Sequence, residues 1–469
     1  MEKFFNLKER GTNVRTEIVA GVTTFFSMVY ILMVNANMFS NPFGDGSNPL
    51  GVSFGAIYIA TALSAIVGSV LMGLLANLPL ALCTGMGLNA FFVYTVCIEI
   101  GLSYPNALVL IFFEGLVFIL LTLTGLRKKM FDAIPKPVRD AMTAGIGMFI
   151  AFIGLQNAGI IVPSTSTGVT LGSFNIITGH WASMMPAVVA IIAFLLLIIL
   201  SKKNVKGAVF IAIIAGTVLY YLLGFTVGGF YEDKSISLIS PIESFKQFGT
   251  DSFGKIFTEG FDFSNFIEKN GLANFVLTII TTAFAFCMVD MFDTMATLYG
   301  AVSQGKLIRD DGSIPKMEEA MVSDAVATTV GAICGTSTVT TVAESASGIV
   351  AGGRTGLSSI VTSICLIAAL FLSPVAQLIP NCATAPALIY VGVLMISSVK
   401  EIEWSSIEVA APAFVTFAMM PLSYNISYGI AFGIITYVVV SLFTGKAKEI
   451  KLTTHIIALM FIAMLLLTH

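Results

Sequence analysis

Charge is what this chain has least of. Only 11% of its 469 residues are Asp, Glu, Lys or Arg, against 56% hydrophobic, and the mean hydropathy is +0.92. A soluble domain carries about a quarter of its residues as charges, so that class is excluded. Histidine is scarce as well, with three residues, and there are two tryptophans. The six cysteines are scattered. Four of them (Cys83, Cys97, Cys287, Cys365) lie inside apolar runs, with no Cys-x-x-Cys pair and no Cys/His cluster. Neither a disulfide framework nor a bound metal or other cofactor is expected. A net charge of −3 supplies no basic surface for nucleic acid. The first apolar run follows Lys3, Lys8, Arg10 and Arg15 and lacks a short core closed by a small-residue cleavage site. It is expected to be a retained span rather than a signal peptide.

What the chain has in quantity is apolar runs near 20 residues, the mark of an all-α polytopic membrane protein. Fourteen spans are expected, at 17–38, 54–76, 80–98, 104–125, 137–160, 182–200, 206–226, 273–299, 319–335, 338–353, 357–378, 384–398, 405–422 and 426–444. With the N-terminus in the cytoplasm, the basic clusters Arg127/Lys128/Lys129, Lys202/Lys203/Lys206, Lys306/Arg309/Lys316, Lys400 and Lys446/Lys448/Lys451 all fall inside. Lys234, Lys246, Lys255 and Lys269 fall outside, in one long loop where that rule has little force. A last apolar run, 452–467, reads equally as an interfacial helix or as a further span.

The loop 227–270 is read as an extracellular linker between two halves, 1–226 and 271–445, with 446–469 as a C-terminal apolar segment. The halves echo each other. AIPKPVRDAMTAGIGMFIAF (133–152) and LIPNCATAPALIYVGVLMIS (378–397) both place Ile-Pro before a Gly-containing span, and each is followed by a span with an internal proline, Pro186 or Pro412. Seven spans per half is odd, so the second half starts on the opposite side of the membrane, giving a 7+7 inverted repeat. The third span is interrupted in NLPLALCTGMGLNAFF (77–92) and the tenth opens on GTSTVTTVAESASG (335–348). Broken helices at matching places point to a midplane binding site, and short extended segments are expected in both.

Carboxylates inside spans cost roughly 2.5–3.5 kcal/mol each on insertion scales, so they face a cavity or a partner. Asp290 and Asp293 share one face of the eighth span, in FAFCMVDMFDTMATLYG (284–300). Both are candidate binding and proton-coupling groups; the bland reading is a structural hydrogen bond to a neighbouring span. Glu344, after the Ser/Thr run, is the third candidate for both roles, against a helix-terminal carboxylate favoured by the dipole. Asn89 offers two donors and an acceptor to a heterocycle edge, or serves as helix–helix glue. Gly85 permits close backbone approach or merely a turn. Among the hydroxyls of Thr336, Ser337, Thr338, Thr340 and Thr341, Thr338 is taken as a binding candidate, although capping explains most of that run. Glu114 is read as a structural hydrogen-bond partner, Phe91 and Phe92 as packing, and Arg354 as fixing topology. Asp324, Asp140 and Glu17 lie near predicted cytoplasmic ends, where solvated or salt-bridged roles are the default.

These segments resemble a known family. GMGLNAFF (85–92), VDMFDTMATLYG (289–300) and GTSTVTTVAESASGIVAGGRTGL (335–357) are similar to the purine permeases of the nucleobase–cation symporter superfamily, in the azaguanine-type adenine/guanine/hypoxanthine branch. GTNVRTEIVAGVTTFFSMVYILMVN (11–35), IPKPVRDAMTAGIGMFIAFIGLQNAGII (134–161) and APALIYVGVLMISSVKEI (385–402) resemble it as well. The resemblance implies a core domain of spans 1–4 and 8–11 and a gate domain of spans 5–7 and 12–14. It also implies substrate binding at Asn89, Asp290 and Glu344, with Asp293 and Gly85 close by. The expected function is import of purine nucleobases across the plasma or inner membrane by proton symport, with guanine and hypoxanthine favoured and adenine also accepted. Carboxylates and carbonyls suit Na⁺ as well as a proton. Homodimers formed through the gate occur in that superfamily. Two other classes are weighed. An intramembrane aspartyl protease needs its aspartates on separate helices. An anion transporter or channel on the same inverted repeat would set three acidic residues against its cargo.

Overall fold

The computed structural model describes residues 2–43, 46–124, 134–174, 181–226, 240–304, 307, 314–446 and 450–468. The clusters Arg127/Lys128/Lys129 and Lys306/Arg309, with Lys234 and Lys448, lie outside them. The chain is mostly helical. Among the described residues, nine helices are long and apolar enough to cross a membrane, and the protein is a multi-pass membrane protein. Local chemistry sets many helix starts. Asn13 accepts from Thr16 N at the head of Val14–Met28, Ser103 from Asn106 N at Tyr104–Leu123, and Asn425 from Tyr428 N at Ile426–Phe443. Each side chain serves a donor that the helix itself leaves unpaired.

Among the described residues, four short strands accompany the helices: β1 (Leu82–Thr84), β2 (Ile161–Ser164), β3 (Gly168–Leu171) and β4 (Val339–Thr341). β1 and β4 are the extended segments expected in the two interrupted spans. They pair antiparallel, Leu82 opposite Thr341, Cys83 opposite Thr340 and Thr84 opposite Val339. The β2–β3 hairpin departs from the all-α expectation. Its Val and Thr residues favour strand, and Gly168 turns it at φ +77°.

The helices pack as two groups. Met317–Cys334 lies against Tyr104–Leu123 and Phe54–Leu71, and Gly356–Leu370 lies against Val14–Met28 and Phe54–Leu71. Elsewhere Lys136–Asn157 packs on Asn381–Met395 and Ile407–Leu422, and the last of these on Ile426–Phe443. Small residues permit the tight approaches. A Cβ added at Gly392 would stand 2.4 Å from the Gly147 carbonyl oxygen, and one at Gly356 would stand 2.1 Å from that of Gly73.

Within the expected linker, Pro241–Gln247, Phe248–Ser252, Lys255–Thr258 and Ser264–Asn270 are short helices. They are pinned to the bundle by Gly254 N donating to Ile333 O (2.9 Å) and Ser373 Oγ to Ser244 Oγ (2.9 Å). Glu17 is not solvated. It is fully buried and accepts from Arg354 N (2.8 Å), Thr355 N (3.4 Å) and Ser358 Oγ (2.5 Å), closing the start of Gly356–Leu370. Run 452–467 forms the helix Leu452–Thr468, packed on Ile426–Phe443 and Leu272–Gln304, with Phe461 buried against Phe284. Met464 lines a cavity with Asn425 and Ser427 at the head of Ile426–Phe443, whereas Leu452 follows its tail. The segment runs back along that helix for about 25 Å at 1.5 Å per residue.

Ser69 Oγ accepts from Leu82 N (2.9 Å) on the outer edge of β1. Ser69→Ala leaves that buried donor unpaired, at a cost of roughly 1–3 kcal/mol. The expected outcome is a lower Tm for the detergent-solubilised protein by intrinsic fluorescence, with the exposed Ser397→Ala variant unchanged.

Candidate functional site

Extended backbone at membrane depth needs a partner for each amide and carbonyl, because no water is there to serve them. Neighbouring side chains supply several. Thr341 N donates to Asp324 Oδ1 (3.1 Å), Thr328 Oγ1 donates to Val339 O (2.8 Å), and Ala81 N donates to Ser345 Oγ (3.0 Å). Beyond the three paired residues, Val342 N reaches Ala81 O (3.1 Å) and Gly85 N reaches Thr338 O (3.2 Å). Asp324 is therefore no solvated end residue. It is wholly buried and holds β4 from the helix Met317–Cys334.

Each strand leads into a helix: Met86–Ala90 after β1, with Gly85 as its cap, and Ser345–Val350 after β4, with Glu344 at the cap position. A cavity of about 110 Å³ opens where these two starts meet the long helix Leu272–Gln304. Its polar wall is made of Asp293, Glu344, Thr84, Thr297, Thr340 and Thr341. Its apolar wall comes from Ile146 and Ile150 on Lys136–Asn157 and from Val391 and Leu394 on Asn381–Met395. The cavity thus lies between the two packed groups.

The sequence candidates separate into two layers. Asp293, Glu344 and Gly85 line the cavity. Asp290, Asn89 and Thr338 are fully buried and are not among its lining residues. Asn89 Nδ2 donates to Thr84 Oγ1 (3.0 Å), and its Oδ1 accepts from the Ser337 hydroxyl. Thr338 Oγ1 donates to Glu114 Oε2 (2.7 Å), the structural bond expected of Glu114. Thr294 Oγ1 stands 3.2 Å from Asp290 Oδ1, 3.0 Å from Asp324 Oδ2 and 2.7 Å from Thr340 Oγ1. One hydroxyl thereby links two carboxylates to a threonine of the cavity wall. The two aspartates share a helix, but only Asp293 turns to the cavity. Phe91 and Phe92 pack on Phe286 and Phe39, ring centroids 4.7 and 5.1 Å apart.

Sequence reasoning missed Tyr30, whose hydroxyl donates to Glu344 Oε1 at 2.5 Å and orients that carboxylate. The available signal was a tyrosine in the middle of an apolar run, the same cue that singled out the mid-span acids. It also missed Thr84 and Thr294, which carry no sequence signal beyond their hydroxyls. Glu344, Ala343 and Leu394 line a second cavity of about 370 Å³ as well, which extends past Ser27, Ser201 and Lys206. Glu344 stands at the boundary of the two. Chemically, two carboxylates among threonines and apolar walls suit a compact ligand that donates hydrogen bonds.

In a background without the six free cysteines, Asp293→Cys and Glu344→Cys are expected to react with a small charged thiosulfonate. Asp290→Cys and Asn89→Cys should react more slowly by at least about tenfold, since reaction needs an accessible thiolate. Equal rates at all four positions would contradict the two-layer arrangement.

Comparisons with known proteins bear on family and fold. The sequence model of the Permease family (Xan_ur_permease) matches residues 15–432. The guanine/hypoxanthine permease PbuG of Bacillus subtilis is 38% identical over 451 residues, covering 96% of each chain. The adenine permease AdeP of Escherichia coli is 36% identical over 462 residues, covering 98% of this chain and 95% of its own. Among solved structures, the transmembrane domain of a cyanobacterium bicarbonate transporter, BicA, superposes with a TM-score of 0.60 at 15% identity, over 89% of this chain and 97% of that one. The murine anion transporter Slc26a9 in its inward-facing state gives 0.57 at 12% identity, over 92% and 68%.

Proposed function

The chain belongs to the Permease family, the nucleobase–cation symporters its motifs resemble, and from that premise we propose that it carries purine nucleobases across the membrane by proton symport. It is a transporter and not an enzyme. The observation that carries the reading is the cavity where β1 and β4 hand over to their helices, with Asp293 and Glu344 in its wall. A purine presents ring N–H donors and N or O acceptors along a flat edge. Carboxylates accept from the former, and the threonine hydroxyls of the wall complete the set. Guanine and hypoxanthine are the proposed cargo, with adenine as the competitor to be weighed against them.

We propose the 7+7 inverted repeat, with the N-terminus in the cytoplasm, as the architecture that moves this site. The nine long helices supply nine crossings. The stretches 82–99, 317–334, 339–350, 356–370 and 407–422 supply the other five. In this proposal one packed group belongs to a core of spans 1–4 and 8–11 and the other to a gate of spans 5–7 and 12–14. The cavity between them is the natural place for one to slide on the other. Asp293 and Glu344 are the proposed proton carriers at the cavity wall, with Asp290 behind them reaching it through Thr294. Loading of a proton removes one negative charge from the wall, and with the purine's hydrogen bonds it favours closure. BicA and Slc26a9 bear on the fold alone. An anion in this cavity would face two carboxylates.

Uptake of radiolabelled hypoxanthine by cells lacking purine transport tests the reading. Asp293→Ala and Glu344→Ala should each lower uptake by roughly tenfold to a hundredfold, the loss of a hydrogen bond to a charged group. Wild-type-like uptake at matched surface expression would overturn the site. A protonophore should abolish uptake; insensitivity to it together with dependence on external Na⁺ would replace the proton. Guanine, adenine and unlabelled hypoxanthine should compete, whereas sulfate, bicarbonate and chloride should not.

A further inference from the structure

The site described above occupies one stretch of Leu272–Gln304. The same helix carries a second polar stretch closer to its start. Asn274, Thr278, Thr281 and Thr282 follow one another at steps of four, three and one, so they share a face. They line a separate cavity of about 190 Å³. Its other walls bring Glu99 from the end of the third span, Asn425, Ser427 and Tyr428 from the head of Ile426–Phe443, and Met464 from the C-terminal helix. It therefore lies between the same two packed groups as the first cavity, nearer the opposite membrane face from the N-terminus.

Three observations point to a ligand here. The first is the polar atoms without partners among the described residues: Asn274 Oδ1 and Ser427 Oγ are both buried and make no hydrogen bond there, and Ser427 is only 4% exposed. Buried acceptors of this kind are satisfied in nearly all folded proteins. The second is access. A wider cavity of about 560 Å³ shares Ile100, Phe266 and Asn270 with this one and is rimmed by Glu259, Asp262 and Lys269 of the folded 240–270 segment. The third is alignment with the first site. Counting from Thr281 in steps of four gives Ala285, Val289, Asp293 and Thr297, and the last three line the first cavity or its edge. Between Thr282 and Val289, about 10 Å of helix, that face is closed by buried Ala285 and Phe286, the latter packed on Phe91 at 4.7 Å.

We propose that this cavity is a second binding site for the transported nucleobase, where it is held before the Phe91/Phe286 plug opens toward Asp293 and Glu344. The proposal rests on the nucleobase reading given above. The lining suits the chemistry. Asn274 Oδ1 and the Glu99 carboxylate accept from ring N–H groups, the hydroxyls of Thr278, Thr282 and Ser427 both donate and accept, and the Tyr428 ring offers a face to a planar molecule. The C-terminal helix closes one side of the site through Met464, which gives that helix a role the repeat itself does not require.

Equilibrium binding of radiolabelled hypoxanthine and of adenine to the purified full-length protein in lipid nanodiscs tests it. Wild type should bind two equivalents of whichever base is transported. Asn274→Leu and, separately, the milder Ser427→Ala should reduce this to one and raise the KM for uptake with little change in the maximal rate, as expected for lost ground-state binding. Glu344→Gln should instead remove the other equivalent and abolish uptake. A single equivalent in wild type that is lost in Glu344→Gln, with KM unchanged in both outer-site variants, would overturn the second site while leaving the transporter reading intact. No binding of either base to wild type would overturn both.

Discussion

Three residues of antiparallel pairing between β1 and β4 are the constraint on which the rest of this molecule turns. Placed at membrane depth among apolar helices, they expose peptide groups that hydrocarbon cannot satisfy. Each outward edge therefore recruits a neighbour: Ser69 on Leu82, Thr328 on Val339, and Asp324 on Thr341. Those side chains sit on Phe54–Leu71 and Met317–Cys334, so serving the strands ties these helices into one body. Asp324 is costly to bury, but it accepts from a backbone amide and a hydroxyl, which is the condition under which such a group is tolerated.

The crossing also decides where a ligand can sit. Where the strands end, two helices begin, and their first residues diverge to leave the cavity that Asp293 and Glu344 line. The opposite wall is supplied by Lys136–Asn157 and Asn381–Met395, which approach each other closely at Gly147 and Gly392. One wall is held by hydrogen bonds and the other by close packing. Around the cavity the two walls differ in character: Asp293 and Glu344 lie on one, and Ile146, Ile150, Val391 and Leu394 on the other. Polar contacts also cross the seam, from Asn37 Nδ2 to Ile379 O (3.4 Å) and from Thr95 Oγ1 to Tyr424 O (3.0 Å), so a relative movement of the two groups would have to exchange them.

Fold and cargo come apart here. BicA and Slc26a9, transporters of anions, share the architecture at 15% and 12% identity, whereas relatives at 36–38% identity carry names of purine permeases. A framework of paired half-helices can present positive or negative groups at the same place, and function follows the groups. In this chain the groups are carboxylates.

The sequence by itself determined the membrane class, the two interruptions and the mid-span acids, because hydropathy runs, β-prone Ser/Thr stretches and isolated charges are local signals that no tertiary context is needed to read. Asp293, Glu344 and Gly85 were legible in this way. Only the tertiary structure decided which acid faces the cavity. Asp290 and Asp293 differ by three residues on one helix, and the small rotation between them is resolved by what packs outside that helix. Tyr30 and Asp324 belong to the same class of decision. One reaches Glu344 from 314 residues away, and the other was assigned to a solvated end because proximity to a helix terminus says nothing about what covers it. The C-terminal helix has a length and composition that fit a crossing and an interfacial segment alike, and only the tertiary structure shows that it packs on Ile426–Phe443 and Leu272–Gln304, because those partners lie outside its own 17 residues.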